Sequence, residues 1–252
     1  MTKLQKNRLV IFSGPSCVGK SPLVKALARI YPEKYSKLKP LVLYNSRSAR
    51  PGETEGVDYY FRTRHEIEKL KDSDYYAVMD VRGDLQAIDL KELSSTLEKG
   101  NVLFEGNPFI GRILQTHPAL NDLNRLSIFM APVTREEIIY LKNIEPAVSL
   151  PDIITDIMRR KLLRRTRRQK GELSLSDLEN IERRAKSAFH ELQDASHFQY
   201  VIPNHDGEDS ENWDAFYYPL GDARCALLAF VSLLEEGQSA VAEQWEPELL
   251  MV

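Results

Sequence analysis

A three-layer α/β fold, a doubly wound parallel sheet with helices on both faces, is predicted by two observations. Short apolar runs alternate with helical periods, and a glycine-rich loop stands where a first strand would pass into a first helix. The runs are Arg8 to Ser13, Leu41 to Asn45, Val102 to Glu105, Leu126 to Met130 and Phe198 to Ile202. They are rich in β-branched, aromatic and other apolar residues, as strands buried on both faces read.

The first helix begins in the glycine-rich loop and ends before Pro32. A second is expected from Thr134, where Thr134-x-x-Glu137 forms a capping-box pattern. A third is expected from Ser176-x-x-Glu179, with Leu178, Ile181, Ala185, Ala188, Phe189 and Leu192 at helical spacing and Arg183, Arg184 and Lys186 near the edge of that stripe. Two segments break the alternation. Residues from about Ser46 to Leu97 are polar, aromatic and rich in turn residues (Pro51-Gly52, Gly56), which predicts an inserted lobe of the kind that binds a substrate. The tail after Gly237 is acidic and aperiodic, and is expected to be disordered or docked on a partner. The expected organisation is therefore one domain over 1–237, with a core of 1–45 and 98–237 and a lobe of 46–97, followed by the tail 238–252.

The loop Gly14-Pro15-Ser16-Cys17-Val18-Gly19-Lys20-Ser21 is a complete G-x-x-x-x-G-K-S between Leu9-Val10-Ile11-Phe12 and Leu23-Val24-Lys25-Ala26-Leu27-Ala28. A strand turning through it into a helix aims several backbone N–H groups and the positive end of a helix dipole at one point, which makes a phosphate cradle. Lys20 is expected to reach the β- and γ-phosphates of ATP, and the Ser21 hydroxyl to ligate Mg²⁺.

Bulk properties remove several classes. The 252 residues carry a net charge of −3, so no global basic field points to nucleic acid or an anionic membrane. The longest apolar stretch, around Cys225 to Leu234, is far short of the roughly 20 residues of a membrane span. The two cysteines, Cys17 and Cys225, form neither a metal-ligand spacing nor a disulfide framework, and Met1 to Lys6 lacks the apolar region of a signal peptide. A cytoplasmic protein is expected. Oligomeric state is not legible.

Local charge is more informative. Arg159, Arg160, Lys161, Arg164, Arg165, Arg167, Arg168 and Lys170 crowd one short segment that ends in Gly171 to Ser176. Such a run can be a solvated helix face, a nucleic-acid patch, or a lid whose arginines close over transferring phosphates; the neighbouring phosphate loop favours the lid, over about 159–184. In the lobe, Arg47-Ser48-Ala49-Arg50-Pro51-Gly52-Glu53 precedes Gly56-Val57-Asp58-Tyr59-Tyr60-Phe61. Two guanidinium forks three residues apart, with a tyrosine hydroxyl nearby, describe a second phosphate site. The other reading of that segment is a turn with exposed arginines beside a packed aromatic cluster.

Four motifs in order, Gly14-Pro15-Ser16-x-Val18-Gly19-Lys20-Ser21, Ser46-Arg47-x-x-Arg50-Pro51-Gly52-Glu53-x-x-Gly56-x-Asp58-Tyr59-x-Phe61, Ile181-x-x-Arg184-x-x-x-Ala188-x-x-Glu191 and Val201-Ile202-x-Asn204, resemble the guanylate kinase family over most of residues 8 to 205. The resemblance implies a P-loop NTPase fold with an acceptor-binding lobe and a lid. It implies that Arg47, Arg50 and Tyr59, with Glu53 in the same block, serve the acceptor's phosphate, that Arg184 reaches the transferred phosphate, and that Asn204 contacts the donor nucleotide. Glu105 and Asn107 fall at the family's two acidic positions after a central strand, the second here an amide, and Glu105 is placed with the acceptor. Arg164 and Arg168 are assigned with Lys20 and Arg184 to catalysis. Anchored on Gly83, the family's guanine-reading glutamate falls on Ala77 and its second tyrosine on Gln86. Both ligands are missing, so weak discrimination for guanine is expected, with Asp80 or Asp84 as conceivable substitutes. Cys17 stands where the family usually has glycine.

The reading that follows is an ATP- and Mg²⁺-dependent nucleoside monophosphate kinase acting on GMP or a related phosphorylated acceptor. A kinase for another acceptor, such as a sugar phosphate, and a non-catalytic phosphopeptide-binding module are the alternatives.

Overall fold

A computed structural model describes residues 7–50 and 52–251. The readings of Met1 to Lys6 and of Pro51 lie outside the described residues. In chain order the elements are β1 (Arg8–Ser13), α1 (Lys20–Ile30), α2 (Pro32–Tyr35), β2 (Leu38–Pro40), β3 (Leu43–Asn45), β4 (Tyr59–Phe61), α3 (Arg64–Leu70), β5 (Tyr76–Val81), β6 (Asp84–Asp89), α4 (Leu90–Lys99) and β7 (Asn101–Gly106). There follow α5 (Pro108–Thr116), β8 (Asn124–Ala131), α6 (Arg135–Asn143), α7 (Leu150–Lys170), α8 (Leu175–Gln193), β9 (Tyr200–Pro203) and α9 (Gly221–Glu236).

The core is a parallel five-stranded sheet in the order β2-β7-β1-β8-β9. Its central strand β1 carries Leu9 to Phe12 at no more than 1% exposure, as a strand covered by helices on both faces requires. The predicted fold class is the observed one. One predicted strand is not. The run Leu41 to Asn45 straddles two sheets: Leu41 N–H still donates to Leu103 O at 2.8 Å on the core edge, whereas β3 pairs with β4 and β6 in a separate sheet of order β4-β3-β6-β5. The core edge strand is β2 instead, which its exposed Lys39 and its proline had hidden.

The lobe sheet has a small core of its own, Ile67, Leu85 and Ala87, beneath α3. Its hairpin β5-β6 turns through Arg82 (φ 59) and Gly83 (φ 91), the paired positive φ values of a two-residue turn matched to strand twist. The capping box at Thr134 and Glu137 forms as expected. On α8 the cap lies two residues earlier than expected: Ser174 Oγ accepts from Asp177 N–H and the Asp177 carboxylate accepts from Ser174 N–H. This leaves Leu178 exposed, so Ile181, Ala185, Ala188 and Leu192 carry the stripe. The tail is likewise ordered against its own domain. Val201 and Glu243 form an antiparallel bridge on the sheet edge, Trp245, Leu249 and Leu250 are buried, and Arg135 pairs with Glu246. Three apolar side chains anchor it.

Candidate active site

The phosphate loop joins β1 to α1 at the C-terminal edge of the core sheet. Gly19 (φ 107) has no room for a side chain: a Cβ there would lie 2.6 Å from Asn204 Nδ2 and 2.9 Å from Asp206 O. Cys17 takes φ 71 without glycine's freedom and is fully buried, which pushes its thiol up to about 12, chiefly by burial. Lys20 Nζ donates to Gly14 O at 2.7 Å and Pro15 O at 2.8 Å, and burial lowers its pKa. Its ammonium thus sits at the loop mouth on carbonyls that phosphate oxygens can replace. Ser21 Oγ donates to Glu105 Oε1 at 2.5 Å, and burial raises the Glu105 pKa despite that hydrogen bond. Glu105 therefore stands beside the loop serine, on the donor side of the site.

Across the cleft, Arg47 and Glu53 form a fork, Nη1 to Oε2 at 2.6 Å and Nη2 to Oε1 at 2.7 Å, and Glu53 also accepts from Arg50 N–H at 2.8 Å. The Arg47 guanidinium lies 5.0 Å from the Tyr59 ring centroid and 5.6 Å from that of Phe61. Glu53 is thus the group that aims Arg47, and both its oxygens are committed to that. A cavity of about 980 Å³ connects the two sides, bordered by Gly14, Ser16, Lys20, Ser21 and Glu105, by Arg47, Arg50, Glu53 and Tyr59, and by Arg165, Arg183 and Arg184. Arg184 has its pKa lowered to about 9, first by burial and then by Arg50, Arg165 and Arg82, which face it. An anion in the cavity would relieve the repulsion among these cations.

The family profile described as Guanylate kinase matches residues 6–100. A guanylate kinase of Synechococcus sp. (strain JA-3-3Ab) is 31% identical over 217 residues, covering 85% of this chain and 83% of that protein. The chain belongs to the guanylate kinase family. A guanylate kinase of Mycoplasma pneumoniae is 29% identical over 201 residues, 79% of this chain and 70% of that one. The crystal structure of guanylate kinase from Anaplasma phagocytophilum shares the fold, with a TM-score of 0.53 at 20% identity over 98% of this chain and 95% of that chain.

Several expectations for this family member are corrected by the geometry. Asn204 is fully buried, donating from Nδ2 to Val18 O at 2.7 Å and Asp206 O at 2.6 Å, so it braces the phosphate loop from beneath and presents nothing to a nucleotide. Arg164 points outward, 69% exposed and 3.6 Å from Asp209, away from the cavity. Arg168 pairs with Asp214 at 3.5 Å and borders a second cavity of about 560 Å³ beside α1, with Ser21, Lys25, Arg29 and Trp213. Arg165 is the cluster residue that enters the main cavity, paired with Glu208 at 2.7 Å. Most of the other cluster cations are engaged by acidic neighbours, such as Arg159 by Glu182 and Lys170 by Asp177. Ala77 packs into the core at 7% exposure and Asp80 holds the hairpin through Gly83 N–H, so neither borders the cavity; Asp84 and Gln86 do.

Arg82 and Glu208 were given no role from the sequence, and Arg165 only as one of the basic run. For Arg165 a signal was available: α7 buries Leu150, Ile154, Met158, Leu162 and Thr166, and Arg164 and Arg168 sit two positions from that stripe, roughly 200° around the helix.

Proposed function

We propose that the protein transfers the γ-phosphoryl group of ATP to a nucleoside monophosphate, with GMP the first acceptor to test. One observation carries the reading: a single cavity is lined by the Lys20 phosphate loop, by Arg47, Arg50 and Tyr59, and by Arg184. Donor and acceptor phosphates held at these two sites lie in one water-excludable space, which is what in-line transfer needs.

In this reading the loop N–H groups and Lys20 hold the donor's β- and γ-phosphates, and the second cavity beside α1 seats its nucleoside against Trp213. Arg47, oriented by Glu53, and Arg50 orient the acceptor so that its phosphate oxygen forms the new bond to the γ-phosphorus as the bond to the β–γ bridging oxygen breaks and ADP leaves. Arg184, with Arg165 once Glu208 releases it, stabilises the charge spread over the transferring group. Ser21 and Glu105, two oxygen donors hydrogen-bonded to each other beside the loop, fit Mg²⁺, a hard cation that takes oxygen ligands; burial raises the Glu105 pKa, and a cation beside the carboxylate would offset that. Bound there, Mg²⁺ supplies charge neutralisation of the donor phosphates.

The base is read weakly in this scheme. Asp84 and Gln86 are the polar groups that β6 offers the cavity, and Asn107 Oδ1 is spent on Phe109 N–H while its Nδ2 is enclosed without a partner. ADP release from ATP and Mg²⁺ over a panel of nucleoside monophosphates and sugar phosphates tests this. Transfer to GMP is expected, with a kcat/KM advantage over AMP below about a hundredfold. Release with sugar phosphates alone, or with no acceptor at all, overturns the proposal.

A further inference from the structure

We infer that Arg82 is a positioning residue for phosphoryl transfer, joining the acceptor lobe to the phosphate loop and to α8 so that donor and acceptor sites are thermodynamically coupled. The inference rests on the kinase reading above. Arg82 stands at the tip of the β5-β6 hairpin in a left-handed backbone conformation that arginine seldom adopts, yet its side chain is only 15% exposed. Its guanidinium touches two other segments at once. Nε donates to Glu191 Oε1 at 2.6 Å, Nη2 pairs with the same carboxylate, and Nη1 donates to Ser16 Oγ at 3.1 Å in the phosphate loop.

The partner carboxylate makes this contact conditional. Glu191 is fully buried on α8; Ser187 Oγ donates to its Oε1 at 2.6 Å, and its Oε2 has no partner. A buried carboxylate with one cation is tolerated while that cation is in place and costly once it leaves, so the joint favours the assembled arrangement of all three segments. Arg183 Nη1 reaches Arg82 O at 3.5 Å and adds a second link between α8 and the hairpin tip. Arg82 also borders the cavity and faces Lys20 and Arg184, lowering the pKa of both. A ligand that seats Ser16 or draws α8 inward therefore acts on the lobe through one side chain.

ADP and GMP, with Mg²⁺, form the dead-end pair that measures this coupling by calorimetry on the full chain, alongside steady-state kinetics with ATP and GMP. In the wild type each ligand is expected to tighten the other by about fivefold or more. Arg82→Ala and Glu191→Gln are expected to leave each separate dissociation constant within about threefold of wild type, to bring the coupling ratio near one, and to lower kcat roughly tenfold to a hundredfold, with Arg82→Lys between them and wild type. A wild-type ratio of one overturns the inference, as does an unchanged ratio and kcat in the variants, even where their thermal midpoints fall. Should Arg82→Ala not fold, Glu191→Gln and Arg82→Lys are judged by the same criteria. A wild type that transfers phosphate to no monophosphate defeats the kinase reading and this inference with it, whereas normal wild-type turnover with unaltered variants defeats the inference alone.

Discussion

Lys20 shows how much a single residue is asked to do in the loop. Its ammonium is almost fully enclosed, its pKa lowered by burial, and it donates to two loop carbonyls. In the proposed function donor phosphates take the place of those carbonyls, and no other cation stands in the loop. Lys20→Ala is expected to lower kcat by about a hundredfold or more with the fold intact, read by ADP release and circular dichroism; turnover within a few-fold of wild type would remove this loop from the donor site. Arg47 separates from it kinetically. Loss of its charge-assisted contact, about 1.5 to 3 kcal/mol, is expected to raise the acceptor's KM roughly tenfold to a hundredfold while ATP affinity stays nearly constant. Glu53→Gln should move the acceptor's KM in the same direction by less, because the fork that aims Arg47 weakens without disappearing. These residues were legible because their motifs fix residue type and spacing together. Arg164 and Arg168 were not told apart from Arg165 because a run of cations carries no phase of its own; the phase lies in the apolar stripe of α7, beside which Arg165 enters the main cavity.

Among elements, α7 and that loop are held together by opposite charge: Arg165 with Glu208, Arg164 and Lys161 with Asp209, Arg168 with Asp214. In the proposed function phosphates compete with Glu208 for Arg165. Hydrogen exchange over 159–184 is expected to slow when ADP and GMP are both bound, as closure excludes water; equal exchange in free and doubly bound protein would make the segment a solvated face. The same loop carries a pH-sensitive joint. His205 donates or accepts between Asp222 in the first turn of α9, at 2.5 Å, and Glu137 of α6, at 2.9 Å. Burial opposes its charge, but the hydrogen bonds to Asp222 and Glu137 outweigh it and raise the pKa above the ordinary 6.5. A raised folded-state pKa stabilises fully below 6.5 and fades as pH climbs through the folded value. Thermal midpoints are therefore expected to fall as pH rises above that range, and His205→Gln should flatten this dependence.

At the scale of the molecule, the parallel core was readable because β1, β7, β8 and β9 are apolar on both faces, and the lobe because its composition departs from theirs. The lobe's boundary was displaced because β2 is short, with two exposed residues, while β3 looks like a core strand although it belongs to the mixed sheet. The tail was misjudged because composition weighs its glutamates and overlooks three anchors. Trp245, Leu249 and Leu250 bury themselves against α6, α8 and β9, and Lys142 Nζ donates to the carbonyls of Leu249 and Met251. Removing one such buried side chain from a packed core costs about 2 to 4 kcal/mol, so the anchors oppose loss of the tail. For a chain of this size 1 kcal/mol moves the midpoint by about 2 to 4 °C, so truncation after Gly237 is expected to lower it measurably. Among the described residues none beyond Asp214 borders either cavity, so kcat at 25 °C should stay within about twofold of the full chain. The two readings part company usefully: an unchanged midpoint would mean the tail adds nothing to the fold, and a large loss of kcat in stably folded protein would mean that it reaches the site through α8.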